Sequence, residues 1–146
     1  MQTVDTAGRA FITQEEGEVL HAYRCAAGVL TIGVGHTGPD VHEGMTISQQ
    51  QSQALLSKDL ARFEDSVRTA VRVPLDQHQF NALVSFNFNL GEGALAKSSL
   101  LKWVNGGHYS VTDITKAFQL WNKVNGRPNA KIKTRRGREA ALFFKE

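Results

Sequence analysis

The apolar positions of the chain first follow helical spacing close to the N-terminus. Thr13 and Glu16 stand three residues apart within this pattern and fit a capping box, in which each side chain bonds the other residue's backbone N–H. The sequence therefore predicts a helix over roughly residues 13–24. The apolar positions that support it are Ile12, Val19, Leu20 and Tyr23.

Glycines end this pattern, and a short segment typical of strands follows. Gly28 and the glycines between residues 33 and 38 interrupt the helical periodicity. Residues 29–34 are rich in β-branched side chains. This part of the chain is predicted to form strands of a small sheet.

Two longer helices are predicted further along the chain. Ser48 and Gln51 form a second capping-box pair before a long run with apolar residues at helical spacing. Asp76 and Gln79 start another helix, which Gly91 closes. The apolar residues of this helix are too dense for a surface position, so it is predicted to be the buried core helix. They are Phe80, Leu83, Val84, Phe86 and Phe88.

Further helices are predicted over residues 98–104, 113–124 and 136–144, with turns at 105–107 and 125–128. The whole order predicts an α+β, mostly helical fold. A cleft between a small lobe and a helical lobe is a natural site for a polymer.

The predicted organisation is a single domain over residues 1–146. A small β-bearing lobe covers about residues 12–60, and a long helix connects it to a helical lobe at about residues 70–146. A chain of this length buries its own core without metals or disulfides. Because Cys25 is the single cysteine, the chain cannot form an intramolecular disulfide. Cys25 is either a small apolar residue of the core or a functional thiol.

The charge of the chain permits acidic partners. The net charge is +3 and the isoelectric point about 9.2, with much of the excess between residues 123 and 138. No zinc-finger, basic-zipper or RNA-recognition pattern accompanies it, so nucleic-acid binding is not expected. The sequence has no apolar stretch near 18 residues and no signal-like N-terminus, which predicts a soluble protein without stable membrane insertion.

The densest motif of the chain is EGEVLHAYRCAAGVLTIGVGHT, residues 16–37. It resembles the signature of the phage-type lysozymes, the endolysins of glycoside hydrolase family 24. Residues 73–91 and the closing pattern of Arg135, Arg136, Glu139, Leu142 and Phe143 are also similar to that family. The resemblance covers roughly residues 10–144 and implies a lysozyme-like fold.

The resemblance implies a glycosidase with Glu16 as its general acid. Such an enzyme needs a protonated acid that gives its proton to the leaving oxygen. It also needs a second group that positions or activates water on the other face of the sugar. The alternative is that Glu16 only completes the capping box of Thr13. Glu16 precedes Gly17, and a glycine inside a helix lowers helix stability by about 1 kcal/mol. Close approach of a substrate to the backbone is one explanation for a glycine at this position.

Cys25 stands where the family has its catalytic aspartate. A free thiol titrates near 8.5 and an aspartate near 3.9, so the available protonation state differs. Three roles stay open: a thiolate with a lowered pKa that deprotonates water, a neutral thiol that positions water, or a nucleophile that forms a thioglycoside. By the same resemblance, Thr31 is the third catalytic residue, although an ordinary strand role is the alternative.

Four other residues take roles from the resemblance. His36 and Asp59 are expected to form a structural pair that raises the His36 pKa and stabilises the fold. Asn89 faces the saccharide, with helix-end capping as the alternative. Gly35 allows close approach of the glycan chain.

The implied activity is that of a muramidase acting on peptidoglycan during lysis of a bacterial host by a phage. No cofactor and no metal are expected. The protein would stay in the host cytoplasm as a monomer until holin-dependent release brings it to the periplasm. The alternatives are a catalytically impaired wall-binding protein, a basic nucleic-acid-binding domain, and non-hydrolytic cleavage that leaves anhydro-muramic ends.

Overall fold

The computed structural model describes residues 1–146 and contains six α-helices and two small antiparallel sheets, which confirms the predicted α+β, mostly helical class. The chain forms two compact units, one of residues Arg9–Ala61 and one of Met1–Gly8 with Arg62–Glu146. The helices are α1 (Thr6–Glu16), α2 (Gln49–Ala70), α3 (Gln77–Leu90), α4 (Ser99–Gly106), α5 (Val111–Gln119) and α6 (Ala130–Phe143). The strands are β1 (Val19–Arg24), β2 (Leu30–Gly33), β3 (Lys123–Val124) and β4 (Arg127–Pro128).

The first helix differs from the prediction of a helix over residues 13–24. It starts at Thr6, where Asp5 accepts a hydrogen bond from the N–H of Gly8 at 2.9 Å, and it ends at Glu16. Gly17 then takes a left-handed conformation, φ +80°, which turns the chain out of the helix. The pair Thr13 and Glu16 therefore lies in the last turn and forms no capping box, and the residues after it form β1.

In the smaller unit, residues 9–61, β1 and β2 form a hairpin. The two strands are antiparallel, with Tyr23 opposite Thr31 and an irregular register nearer the start of β1. Helix α2 starts in this unit with the predicted capping box, because Gln51 N–H bonds Ser48 Oγ at 3.1 Å and Ser48 N–H bonds Gln51 Oε1 at 2.8 Å. The later residues of α2, 62–70, belong to the larger unit.

The larger unit is built around α3. This helix starts with the predicted capping box of Asp76 and Gln79 and ends at Gly91. It packs against α6, which in turn packs against α5. Several aromatic side chains of these helices meet edge to face, as Phe86 does with Phe118 at a ring separation of 5.6 Å.

Two predicted helices have different bounds in the structure. Helix α5 ends at Gln119, not near residue 124, because β3 and β4 pair across an Asn125–Gly126 turn whose positive φ angles suit a tight hairpin. Helix α6 begins at Ala130, not near residue 136, where the Asn129 side chain accepts a hydrogen bond from the N–H of Ile132 at 3.0 Å.

The early start of α6 places Arg135 and Arg136 inside the helix rather than at its predicted start near residue 136. Both arginines are buried with Glu139, which is also buried. Arg136 Nε lies 2.8 Å from Glu139 Oε1, and Ser85 donates to Glu139 Oε2 at 2.6 Å. We call Ser85, Arg135, Arg136 and Glu139 the buried ion cluster. Burial raises the pKa of Glu139 against the opposing charges of Arg136 and Arg135.

The helices carry no membrane-spanning segment. None of them combines the length and the apolar character that crossing a bilayer requires.

Candidate active site

Glu16 is the last residue of α1, and its position follows from the way that helix ends. The N–H of Gly17 bonds the carbonyl of Thr13 at 2.8 Å, and the positive φ of Gly17 then redirects the backbone. Glu16 is half-buried, and its Oε2 atom is shielded from solvent. The end of a helix thus holds this carboxyl group at a defined place.

A tight turn between Ile32 and His36 faces Glu16. The two residues bond each other's backbone in both directions at 2.9 Å, and Gly33 and Gly35 both have φ +67°, which favours glycine. A Cβ atom added at Gly35 would lie 3.7 Å from Oε1 of Glu16. The structure therefore brings the predicted acid and the predicted glycine together.

Cys25 and Thr31 form a second group at the hairpin. Cys25 follows β1, where its N–H bonds the carbonyl of Val29 at 3.0 Å and its carbonyl accepts from Gly28 at 2.8 Å. The Thr31 hydroxyl, on β2, donates to the same Val29 carbonyl at 2.9 Å. Thr31 is buried, whereas Cys25 is partly exposed. The hairpin places a thiol and a hydroxyl side by side.

Hydrogen bonds lower the pKa of the Cys25 thiol. The largest contribution is from the backbone of Val29, followed by that of Ala27, while partial desolvation acts in the opposite direction. The Thr31 side chain adds a smaller lowering effect. These groups favour the thiolate, because donors directed at a charged form stabilise that form.

His36 lies between two carboxylates. Its Nδ1 atom is 2.7 Å from Asp59 Oδ2 on α2, and its Nε2 atom is 2.9 Å from Asp40 Oδ2. Burial acts to lower the pKa of His36, but the hydrogen bonds and charges of Asp59 and Asp40 together raise it. This arrangement fixes the turn that carries Gly35 to the part of α2 that lies in the smaller unit.

Asn89 belongs to the larger unit, where it lies in the last turn of α3. Its Oδ1 atom accepts a hydrogen bond from Arg136 Nη2 at 2.8 Å. This contact assigns the orientation of the amide, with the Asn89 side-chain nitrogen directed away from Arg136.

Two carboxylates of the smaller unit have contacts that the sequence did not predict. Asp40, four residues after His36, bonds its ring, and Glu18 bonds three side chains of α2. The spacing of His36 and Asp40 is a signal for the first, but nothing local marks the second. The structure has no group of three or more His, Cys, Asp or Glu side chains arranged to hold a metal ion.

Comparison with known proteins identifies the family. The phage lysozyme family model matches residues 13–139. The chain belongs to the phage lysozyme family. It is 42% identical to the endolysin of Salmonella phage P22, over 99% of each chain. The fold is shared with a crystal structure of a P22 lysozyme mutant, at 42% identity, TM-score 0.88 and coverage of 99% of this chain and 100% of that one.

A third similar protein is the muramidase domain of SpmX from Asticcacaulis excentricus. Its structure is 35% identical to this member of the phage lysozyme family, with a TM-score of 0.88 and complete coverage of both chains. The similarity thus extends over both units of the chain.

The side chains of this family member supply two kinds of chemistry. The Glu16 carboxyl group is able to give up or accept a proton beside the Gly35 turn. The groups around Cys25 lower the pKa of its thiol, and the Thr31 hydroxyl both donates and accepts hydrogen bonds, so the pair is suited to hold a water molecule.

Proposed function

We propose that this protein is an endolysin that hydrolyses the β-1,4 bond between N-acetylmuramic acid and N-acetylglucosamine in bacterial peptidoglycan. The observation that carries the proposal is the Glu16 carboxyl group held against the Gly35 turn in a chain of the phage lysozyme family. The endolysin of phage P22 and the muramidase domain of SpmX support the same activity by their names. The enzyme is accordingly a lysozyme-type glycoside hydrolase.

Glu16 acts as the general acid of this reaction. Its proton passes to the glycosidic oxygen as the bond from that oxygen to the anomeric carbon breaks. The shielded Oε2 atom supports this role, since little bulk water competes with a bound substrate at that atom. Positive charge develops at the anomeric carbon, and a water molecule then attacks that carbon.

Cys25 and Thr31 hold that water. The lowered pKa of Cys25 supports the thiolate form, which accepts a proton from the water while the Thr31 hydroxyl orients it. The water oxygen bonds to the anomeric carbon, and a new reducing end results. Direct attack by the thiolate on that carbon is the second route, and it predicts a transient covalent thioglycoside.

Gly35 and Asn89 contact the saccharide in this proposal. Gly35 presents bare backbone beside Glu16, which leaves room for a sugar ring. The Asn89 oxygen is engaged by Arg136, so its amide nitrogen donates to the sugar. The His36 and Asp59 pair stabilises the turn and takes no part in proton transfer.

The biological role is lysis of the bacterial host by a phage. We expect the enzyme to act as a monomer, without a cofactor and without binding nucleic acid. It is held in the host cytoplasm until a holin opens the membrane, and it then reaches peptidoglycan in the periplasm.

The test is release of reducing ends from purified peptidoglycan. Glu16→Gln removes the proton and keeps the shape of the side chain, so the rate should fall by about 10²–10⁴-fold with an unchanged melting temperature. Glu15→Gln, the same change one residue earlier, is the matched control and should retain most of the rate.

The other outcomes separate the competing functions. A Glu16→Gln variant as active as Glu15→Gln would remove Glu16 from the acid role. An unaltered protein that binds peptidoglycan without releasing any ends would indicate a wall-binding protein without catalysis. Products with anhydro-muramic ends and no new reducing ends would indicate non-hydrolytic cleavage.

A further inference from the structure

Glu18 is a carboxylate held by three side chains of helix α2. Its Oε2 atom accepts hydrogen bonds from Ser52 Oγ at 2.8 Å and Gln53 Nε2 at 2.9 Å, and its Oε1 atom accepts one from Gln49 Nε2 at 3.3 Å. Glu18 is half-buried, and Ser52 is completely buried. These donors, Gln53 first and Ser52 next, lower the pKa of Glu18 against the effect of burial. The side chain is thus an ionised anchor two residues beyond Glu16.

Gln53 connects this anchor to helix α1. Arg9, on α1, donates from Nη2 to the side-chain oxygen of Gln53 at 3.0 Å and to its backbone carbonyl at 2.7 Å. It also donates from Nη1 to Ser57 Oγ at 2.8 Å. The amide of Gln53 therefore accepts from Arg9 on one side and donates to Glu18 on the other, which fixes its orientation.

Glu16 stands between the two ends of this chain of contacts. Arg9 precedes it by about two helical turns and so lies near the same face of α1. Glu18 follows it after Gly17, whose φ is +80° and beside which a Cβ atom would meet no other atom within 4 Å. Gly17 has no side chain to pack, so the side-chain contacts of Arg9 and Glu18 hold the chain on either side of the helix end.

The same contacts reach the turn that faces Glu16. A Cβ atom at Gly33 would come within 3.0 Å of Ser52 Oγ, so this turn is packed directly on Ser52. The Ser52 hydroxyl thus joins Glu18 to the turn that carries Gly35. Both sides of the contact between Glu16 and Gly35 rest on the first turns of α2.

We propose that the relay of Arg9, Gln53 and Glu18 positions the Glu16 carboxyl group for proton transfer, with Glu18 as its key positioning residue. The inference rests on the proposed function of Glu16 as the acid. A displacement of about 1 Å at a catalytic group lowers rates by up to about 100-fold. Glu18 itself touches no reacting atom.

The test compares Glu18→Gln with the exchanged pair Glu18→Gln/Gln53→Glu. In the single variant the new side-chain amide at position 18 faces the amide of Gln53. Its one oxygen no longer satisfies all three donors, Gln49, Ser52 and Gln53. In the pair, the carboxylate at position 53 accepts from Arg9 and from one N–H of the new amide. The second N–H of that amide donates to the Ser52 hydroxyl, and its oxygen still accepts from Gln49. We expect kcat for reducing-end release to fall about 10–100-fold in Glu18→Gln with KM little changed, and to recover in the pair.

Glu43→Gln is the control, since it removes an exposed carboxylate of the same unit that pairs with Arg24. All variants are assayed beside Glu16→Gln below their melting temperatures. A Glu18→Gln variant with the kcat of Glu43→Gln, or a pair that fails to recover, overturns the positioning role. If Glu18→Gln does not fold, the folded pair must retain near-normal kcat, and a low value contradicts the relay. An active Glu16→Gln variant would instead overturn the proposed function itself.

Discussion

Charged and reactive side chains lie in very different surroundings in the two units. In the larger unit, Arg136 and Glu139 are both fully buried, and they bond each other while Ser85 bonds Glu139. In the smaller unit, Glu16 is half-buried and Cys25 is partly exposed at a hairpin end. The first group is closed to solvent, whereas the second is accessible to a substrate.

The difference indicates that the buried charges of the larger unit contribute to stability, whereas the accessible side chains of the smaller unit are suited to chemistry. A buried ion pair contributes little when complete, but it is costly to break because a charge then stays buried without its partner. A partly exposed thiol near donors keeps a reactive form available. Partial access to solvent therefore separates Glu16 and Cys25 from the closed charges of the larger unit, and substitutions in the two units should separate stability from rate.

The largest effect on stability is expected at Glu139. Glu139→Gln leaves Arg135 and Arg136 buried without their shared carboxylate, so the free energy of unfolding should fall by about 3–5 kcal/mol. Denaturant unfolding measures it. Glu43→Gln, which breaks an exposed pair with Arg24, is the control and should cost less than about 1 kcal/mol.

Equal losses of stability in these two variants would contradict the contrast between closed and accessible charges. The rate of the folded Glu139→Gln variant should fall much less than that of Glu16→Gln.

A smaller, pH-dependent effect is expected at His36. Its pKa is raised in the folded protein, so its contribution is complete below the ordinary histidine value of about 6.5 and is lost as pH rises through the raised pKa. His36→Asn should lower the free energy of unfolding by about 1.5–3 kcal/mol near pH 6. The difference in free energy of unfolding between His36→Asn and the unaltered protein should become smaller at higher pH.

Unfolding curves between pH 5 and 10 would measure this gap. Above about pH 5 the low pKa of Asp40 keeps that partner ionised. A gap that widens with pH would be opposite in sign to the account. Loss of activity with an unchanged melting temperature would show that His36 takes part in the chemistry.

The smallest effect is expected at Thr31. Thr31→Val keeps the shape of the side chain but removes the hydroxyl that bonds the Val29 carbonyl, so stability should fall by about 0.5–1.5 kcal/mol. The rate should fall up to about tenfold, because water loses one partner. Thr31→Ser retains a hydroxyl and should recover most of the rate. A Thr31→Val variant with the full rate would limit Thr31 to an ordinary strand role.

Local sequence signals predicted the parts of the fold that depend on local contacts. The pairs Ser48 with Gln51 and Asp76 with Gln79 both form the capping boxes that their spacing indicates. Thr13 and Glu16 have the same spacing, but they lie where α1 ends at Gly17. This pair closes a helix because Gly17 directly follows it and redirects the backbone, and the residues after Gly17 then pair as β1.

Contacts between distant residues account for what the sequence did not predict. The burial of Arg135 and Arg136 depends on packing of α6 against α3. The role of Glu18 depends on side chains more than thirty residues away in the chain. By contrast, Glu16, Cys25 and Gly35 stand in one short motif, which is why a resemblance in that motif is enough to single them out.

In the proposed mechanism, Cys25 as a thiolate takes the proton of the attacking water, a role expected of a carboxylate. The most direct measurement is the pH dependence of reducing-end release by the unaltered protein, Cys25→Asp and Cys25→Ala. Cys25→Asp should remain active and keep its rate to lower pH, because aspartate ionises near 3.9 and a free thiol near 8.5. Cys25→Ala should be slow at every pH. Superimposed profiles, or a fully active Cys25→Ala, would contradict a catalytic role for Cys25.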